Sequence, residues 1–439
     1  MAEERALTMD IQNEGDGAVI RENEMLLEVD EKPEFGMGLL LSFQHVFSMF
    51  GATILVPIIT GLPISVALLM SGVGTLIYHA ITKSKVPVYL GSSFAFIGAM
   101  QIAMEQLGGD VSASQTGIMI SGLAYVLIAL ISVKAGTNWI DKMMPPIVIG
   151  PMIVVIGLGL SSTAIQSADL VMGGQWQNIL VAAATFLIVA YVNTKAKGFL
   201  KIIPFLAGII GGYLVALVLG IVDITPIIDA PWFSIPEIYL PFETGRFNSY
   251  SIHLGAESWA FLPLVLVTVA EHIGDHTVLS KMTNRNFLKD PGLARTLTGD
   301  GIATFISAFF GGPANTTYGE NTGVIGLTRV ASTSVIRNAA IIAVVLSFMG
   351  KFTALLTTIP NAVIGGMSII LYGVIASNGL KVMIDEQLDF SKARNLIIAS
   401  SMLVVGLGGA VLDIGPIVIS GTALSALVGI ILNQLLPAE

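Results

Sequence analysis

FFGGPANTTYGENTGVIGL, residues 309–327, is the stretch on which the fold turns. It lies between two long apolar runs, yet it carries Gly311-Gly312-Pro313, then Thr316-Thr317-Tyr318, then Gly-Glu-Asn-Thr-Gly around Glu320. Proline removes a backbone donor, glycine costs about 1 kcal/mol inside a helix, and β-branched threonine favours extended backbone. The stretch therefore reads as a short extended piece leading into a half-helix whose first N–H groups are free. VPVYLGSSFAFIGAM, residues 86–100, has the same plan, with Pro, Gly and two serines before any helical period begins.

What surrounds these breaks is apolar. The chain of 439 residues is 54% hydrophobic and only 12% charged, with a mean hydropathy of +0.82. Apolar runs of about 18–22 residues recur along it, the length that spans a bilayer, so the chain reads as an all-α polytopic membrane protein. Cysteine is absent, which excludes disulfides and thiolate metal sites. A net charge of −9 argues against a nucleic-acid binder. Much of the acid precedes residue 39, as in RENEMLLEVDEKPE (residues 21–34), with no basic n-region before an apolar core; residues 1–38 read as a cytosolic acidic tail and not a signal peptide.

Fourteen segments are expected, at residues 39–60, 63–82, 88–105, 116–134, 146–161, 177–194, 199–221, 257–275, 296–311, 315–333, 335–356, 360–377, 394–410 and 416–436. With the N-terminus inside, every Lys and Arg falls on the cytosolic side except Arg246 and Lys351, and both termini are cytosolic. A missed or added span would flip each later loop and scramble that asymmetry. The Pro-rich loop at 222–256 falls outside and separates two halves of seven spans in opposite orientation, an inverted repeat. KVMIDEQLDFSKAR, residues 381–394, alternates charge with apolar residues and is expected along the inner interface.

The two broken segments, the third and the tenth, occupy matching positions in the inverted halves. Irregular backbone survives at membrane depth only beside protein or a water-filled cavity, so the pair marks a substrate site near the midplane. Their extended pieces can pair as a small two-stranded sheet. Glu320 then sits where half-helix N–H groups and the positive dipole end face a polar cavity. Glu271 ends the run FLPLVLVTVAEHIGDH, with Asp275 one turn on along the same helical face. An intramembrane carboxylate is costly, and no Lys or Arg lies in the inner part of any span to pair with either glutamate, so both are read as functional. Asp300, near the start of the ninth span, is read as a helix cap in preference to a relay. The four tryptophans are read as interfacial anchors and most of the 47 glycines as close-packing positions.

Five stretches in order carry a resemblance: QHVFSMFGATILVP (44–57), VPVYLGSSFAF (86–96), AEHIGD (270–275), TTYGENTGVIGLTR (316–329) and LYGVIAS (371–377). Over residues 38–436 the chain resembles the nucleobase cation symporter-2 family, the nucleobase–ascorbate transporters, and within it the uracil-permease branch. The family signature, an acid or amide, Asn-x-Gly, then four residues, Thr and a base, is met by Glu320-Asn321-Thr322-Gly323 and Thr328-Arg329. The resemblance implies a core domain of spans 1–4 (39–134) and 8–11 (257–356), and a gate domain of spans 5–7 (146–221) and 12–14 (360–436). It implies Glu271 and Glu320 as substrate-binding carboxylates, Phe94 and Gly319 as backbone contacts, and Ala52, Tyr318 and Tyr372 as pocket lining. His45 resembles the first-span histidine that supports the second carboxylate. It further implies a proton as coupling ion carried among Glu271, Glu320, His45 and Asp275, no cofactor or metal, homodimerisation through the gate, and residence in a bacterial plasma membrane. Asp275 departs from the pattern, standing where some members of the branch carry histidine. His276, the next residue, faces elsewhere on a helix.

Uracil is planar and neutral, with two N–H donors and two carbonyl acceptors, and two carboxylates with two half-helix termini complement it. Glu320 in place of an amide favours uracil over xanthine or urate, the alternative substrates. Carboxylates removed from water favour the neutral form, which lets one of a pair carry a proton inward. A same-fold anion exchanger or channel is disfavoured because two acids in the site repel anions. An integral-membrane enzyme is disfavoured by the lack of a GxSxG elbow, a phosphate loop or metal-type histidine spacing.

Overall fold

The computed structural model describes residues 25–136, 138–414 and 417–437. Fourteen helices of ten residues or more run through them: α1 Phe35–Thr60, α2 Ile64–Ile81, α3 Ile97–Gln106, α4 Ser112–Ala135, α5 Pro146–Gly159, α6 Trp176–Lys195, α7 Pro204–Val218, α8 Leu262–Thr283, α9 Leu293–Phe309, α10 Gly319–Thr328, α11 Thr333–Ser347, α12 Asn361–Asp385, α13 Ala393–Leu407 and α14 Gly421–Leu435. Seven helical stretches are long and apolar enough to cross a membrane, among them α1, α2, α4, α6 and α12, while α7, α11, α13 and α14 are shorter apolar helices. The chain is a multi-pass membrane protein.

Local chemistry sets the breaks. Helix α1 stops at Gly61, which takes a left-handed φ of 72°, and Pro63 directs the chain into α2. Pro146 and Pro204 occupy first-turn positions of α5 and α7, where a missing N–H costs nothing. Within the bundle, α4 packs along α9, and α2 packs on α9 and α11; separately α5 packs along α12, α6 on α7 and α12, and α13 on α14. Glycine makes the closest crossings. A Cβ placed on Gly122 of α4 would lie 2.6 Å from the Gly301 carbonyl of α9, and one on Gly301 the same distance from the Gly122 carbonyl.

The third and tenth segments are broken as their composition predicts. Leu90–Ser92 (β1) and Asn315–Thr317 (β2) pair antiparallel, with Leu90 opposite Thr317 and Ser92 opposite Asn315, and each leads toward a ten-residue helix, α3 or α10. The Ser93 N–H donates to the Ala314 carbonyl at 2.8 Å and the Tyr318 N–H to the Tyr89 carbonyl at 3.1 Å, extending the ladder at both ends. Side chains satisfy the outer edges. Thr75 Oγ1 accepts the Leu90 N–H at 2.9 Å, and Thr304 Oγ1 donates to the Asn315 carbonyl at 3.0 Å. Backbone groups that a helix would have paired internally are thus paired across the molecule.

Several boundaries differ from the sequence reading. Helix α1 begins at Phe35 and not residue 39, and the part of the tail within the described residues is ordered against the bundle: Leu27 bridges Val330, Val29 is buried, and Arg285 pairs with Asp30 at 2.8 Å. Residues 1–24 of that tail lie outside the described residues. The segment expected at 335–356 divides into α11 and a short helix Gly350–Thr357, with Met349 extended between them. The segment expected from residue 416 starts with a strand, Ile417–Ser420, paired with Val411–Ile414; alternating β-branched residues win there before α14 begins at Gly421. Helix α12 runs on to Asp385 through Lys381, so the first part of the charged 381–394 stretch is a helical continuation.

Candidate substrate site

Glu271 and Asp275 lie four residues apart on α8, both half-buried, and Glu320 is in the first turn of α10, also half-buried. Because 3.6 residues make a turn, Glu271 and Asp275 share one face while His272 and His276 point the other way. The hydrogen bonds agree. His272 Nδ1 lies 2.9 Å from Asp300 Oδ2, His276 Nε2 lies 2.5 Å from Tyr78 Oη, and the two imidazoles stack 4.0 Å apart in a fully buried layer. Asp300 is therefore no helix cap. It is the eighth residue of α9, completely buried, and its partner is an imidazole and not a helix-terminal N–H.

On the opposite face Asp275 accepts a hydrogen bond from the Thr317 hydroxyl, which ties α8 to β2. Glu271 lies within electrostatic reach of Asp275, Asp300 and Glu320, so four carboxyl groups share one region, and no Lys or Arg among the described residues forms an ion pair with any of them. Tyr318, extended, caps α10; the carbonyl it presents accepts the Thr322 N–H at 3.1 Å, which leaves the N–H groups of the first helical residues aimed past the helix end beside Glu320. Gly319 borders open space, with no atom within 4 Å of where its Cβ would be, and the same holds for Gly98 on α3 and Gly323 on α10.

The remaining expected residues divide. Phe94, two residues beyond β1 at the start of a short 3-10 helix, is half-buried and meets Tyr372 of α12 edge-on with ring centroids 6.2 Å apart, so the broken segment and α12 come together there. Ala52 is buried on α1 beside Thr53. Tyr318 is 3% exposed and acts as a tie more than a lining group: its hydroxyl donates to the Ser92 carbonyl at 3.1 Å and accepts from Thr53 Oγ1 at 3.2 Å. Among the described residues His45 makes no hydrogen bond to Glu320. Its ring Nδ1 and its backbone carbonyl both lie 3.1 Å from Asn321 Nδ2, so it fixes the residue that follows Glu320. Asn321 Oδ1 is left buried and without a partner.

Two cavities flank these groups. One of about 90 Å³ runs from Phe94 and Gly98 to Gly159 and Gly406, between α3 and the α5 and α13 helices. The other, about 150 Å³, reaches from Glu320 and Gly323 to Ser48, Phe205 and Lys201. Among the described residues, no three His, Asp or Glu side chains are grouped as a metal site. Thr317, Asn321 and Lys201 were not singled out from the sequence. Thr317 and Asn321 stand in quoted motifs, but only the strand register and the α1–α10 contact give them partners. Lys201 reads as an ordinary loop lysine until α7 folds back.

Residues 37–415 match the family described as the Permease family. A uracil permease of Bacillus caldolyticus is 47% identical over 95% of this chain and 96% of its own length. A uracil permease of Escherichia coli strain K12 is 42% identical over 92% of each. Among solved structures, the transmembrane domain of the cyanobacterial bicarbonate transporter BicA superposes with a TM-score of 0.62 over 93% of this chain and 99% of that one, at 16% identity. The murine anion transporter Slc26a9 gives 0.63 over 92% of this chain and 69% of that one, at 11% identity. The last two establish a shared transporter fold.

Proposed function

Because the chain belongs to the permease family of nucleobase–ascorbate transporters, we propose that it imports uracil across the cytoplasmic membrane of a bacterium by alternating access, driven by a proton. It is a transporter and not an enzyme. The observation that carries the reading is the convergence of Glu271 and Glu320 with the N-terminus of α10, beside the β1–β2 pair. Uracil's N–H groups donate to the two carboxylates, and its carbonyls accept from backbone N–H groups at Gly319 and Phe94. Phe94 and Tyr372 form an aromatic wall against the ring. An anion would be repelled by the same carboxylates, which separates this site from those of the bicarbonate and anion transporters sharing the fold.

In this account the chain has fourteen spans in two inverted sevens, with both termini cytosolic. The helices grouped around α4–α9 and α2–α11 form the core, and those around α5–α12, α6–α7 and α13–α14 form the gate, which the packing pattern supports. The antiparallel pairing of the two extended pieces and the equal length of α3 and α10 support the inversion. A proton loads from outside onto a carboxylate among Glu271, Asp275 and Glu320 and leaves inside after the core moves against the gate. His45 acts through Asn321. Homodimerisation through the gate completes the proposal. Uptake into proteoliposomes with a panel of competing nucleobases tests the substrate: uracil should compete best, and stronger competition by xanthine or urate would move the chain to that branch.

A further inference from the structure

The cavity at Glu320 has two ionisable lining residues among the described residues, Glu320 and Lys201, and their charges are opposite. Between them the walls are Ser48, Phe205, Gly323 and Leu327, largely apolar, with about 150 Å³ of space, enough for several waters. Lys201 belongs to the short helix Phe199–Ile202 between α6 and α7, which touches both α1 and α10. It is exposed, and its side chain has no hydrogen bond or ion pair among the described residues. In the orientation proposed above this loop is cytosolic.

We infer that Lys201 is a positioning charge for proton release: it stands at the cytosolic mouth of the route to Glu320 and stabilises the carboxylate that remains when the proton leaves. This rests on the reading of Glu320 as a proton carrier. The other ionisable groups on elements packed against α10 do not bring a cation into that cavity. Glu271 and Asp275 on α8 are acids that interact with Glu320, His272 and His276 of α8 are engaged with Asp300 and Tyr78, His45 on α1 is engaged with Asn321, Tyr318 is bonded at the helix start, and Lys281 of α8 and Arg329 at the C-terminal end of α10 do not line the cavity. Once uracil departs, Glu320 loses its donor, and an apolar-walled cavity solvates a bare carboxylate poorly. A lysine on a flexible four-carbon stem can approach along the cavity and offset that cost. The proton is thereby favoured to exit inward, into water and not back to the site.

The test is initial uracil uptake into right-side-out membrane vesicles at fixed external pH and varied internal pH, beside counterflow at equal pH. Lys201→Met should hold its proton more tightly, so the internal pH for half-maximal uptake moves alkaline by about 0.5–1 unit, a three- to tenfold loss of rate on the acid side. Lys201→Glu should move it further, Lys201→Arg should restore the wild-type profile, and counterflow should be unchanged in all three. An unshifted profile in Lys201→Met, or equal loss of uptake and counterflow, overturns the inference. Glu320→Gln is measured in parallel. If it has lost gradient-driven accumulation while Lys201→Met keeps the wild-type profile, only the lysine's role is refuted; if Glu320→Gln still accumulates uracil, Glu320 leaves the proton route and the inference falls with it.

Discussion

Replacing Gly91 by alanine should damage the site through a single clash. A Cβ at Gly91 would lie 2.3 Å from Cζ of Tyr318, 2.4 Å from Cε2 and 2.7 Å from its hydroxyl oxygen, where carbon atoms ordinarily rest about 3.5–4 Å apart. The ring cannot step aside freely, because its hydroxyl is bonded to the Ser92 carbonyl and to Thr53. If the ring leaves, two hydrogen bonds at roughly 0.5–1.5 kcal/mol each are lost inside the bundle. If β1 moves instead, its pairing with β2 shifts, and with it Phe94 on one side and Gly319 on the other. Overpacking a tight interior costs about 1–3 kcal/mol, so roughly 1–3 kcal/mol is expected by either route. Thermal unfolding and uracil binding should fall together. Tyr318→Leu opens the space, so adding it to Gly91→Ala should cost less than the sum of the two changes. Unchanged stability and affinity in Gly91→Ala, or strict additivity in the double variant, would refute the reasoning.

Glu271→Ala removes a charged acceptor that no neighbour replaces, and uracil affinity measured by calorimetry should fall by roughly 1.5–3 kcal/mol, at least tenfold, in a folded protein. Glu320→Gln keeps the shape and one acceptor but carries no removable proton; counterflow should persist while accumulation driven by a pH gradient disappears, with Asp275→Asn as the comparison. Asp300→Leu leaves the buried His272 imidazole without its partner and should lower thermal stability by roughly 1–3 kcal/mol, with less effect once His272 is also made apolar.

The membrane class, the two broken segments and their pairing were legible because glycine, proline and threonine interrupt apolar runs with a fixed local meaning. The strand pair Val411–Ile414 and Ile417–Ser420 was not legible: its Val, Leu and Ile also suit an apolar span, and only the pairing of the two strands decides between them. Asp300 misled because a carboxylate near a helix start usually caps it, whereas its partner His272 is 28 positions earlier in the chain. His45 is hydrogen-bonded to Asn321, the neighbour of the carboxylate that the resemblance pairs it with. A resemblance transfers a neighbourhood, while the choice between Glu320 and Asn321 depends on the rotation of α10 against α1. Lys201 shows the converse, an unremarkable loop residue given a role by the cavity it lines.

Uracil accumulation in proteoliposomes under separately imposed gradients is the most direct measurement of the central claim. With the carboxylates loading a proton from outside, uptake should rise as external pH falls from about 8 to 6 against a fixed interior, exceed equilibrium, and collapse when a protonophore is added. Accumulation that follows an imposed sodium gradient and ignores the proton gradient would contradict the account.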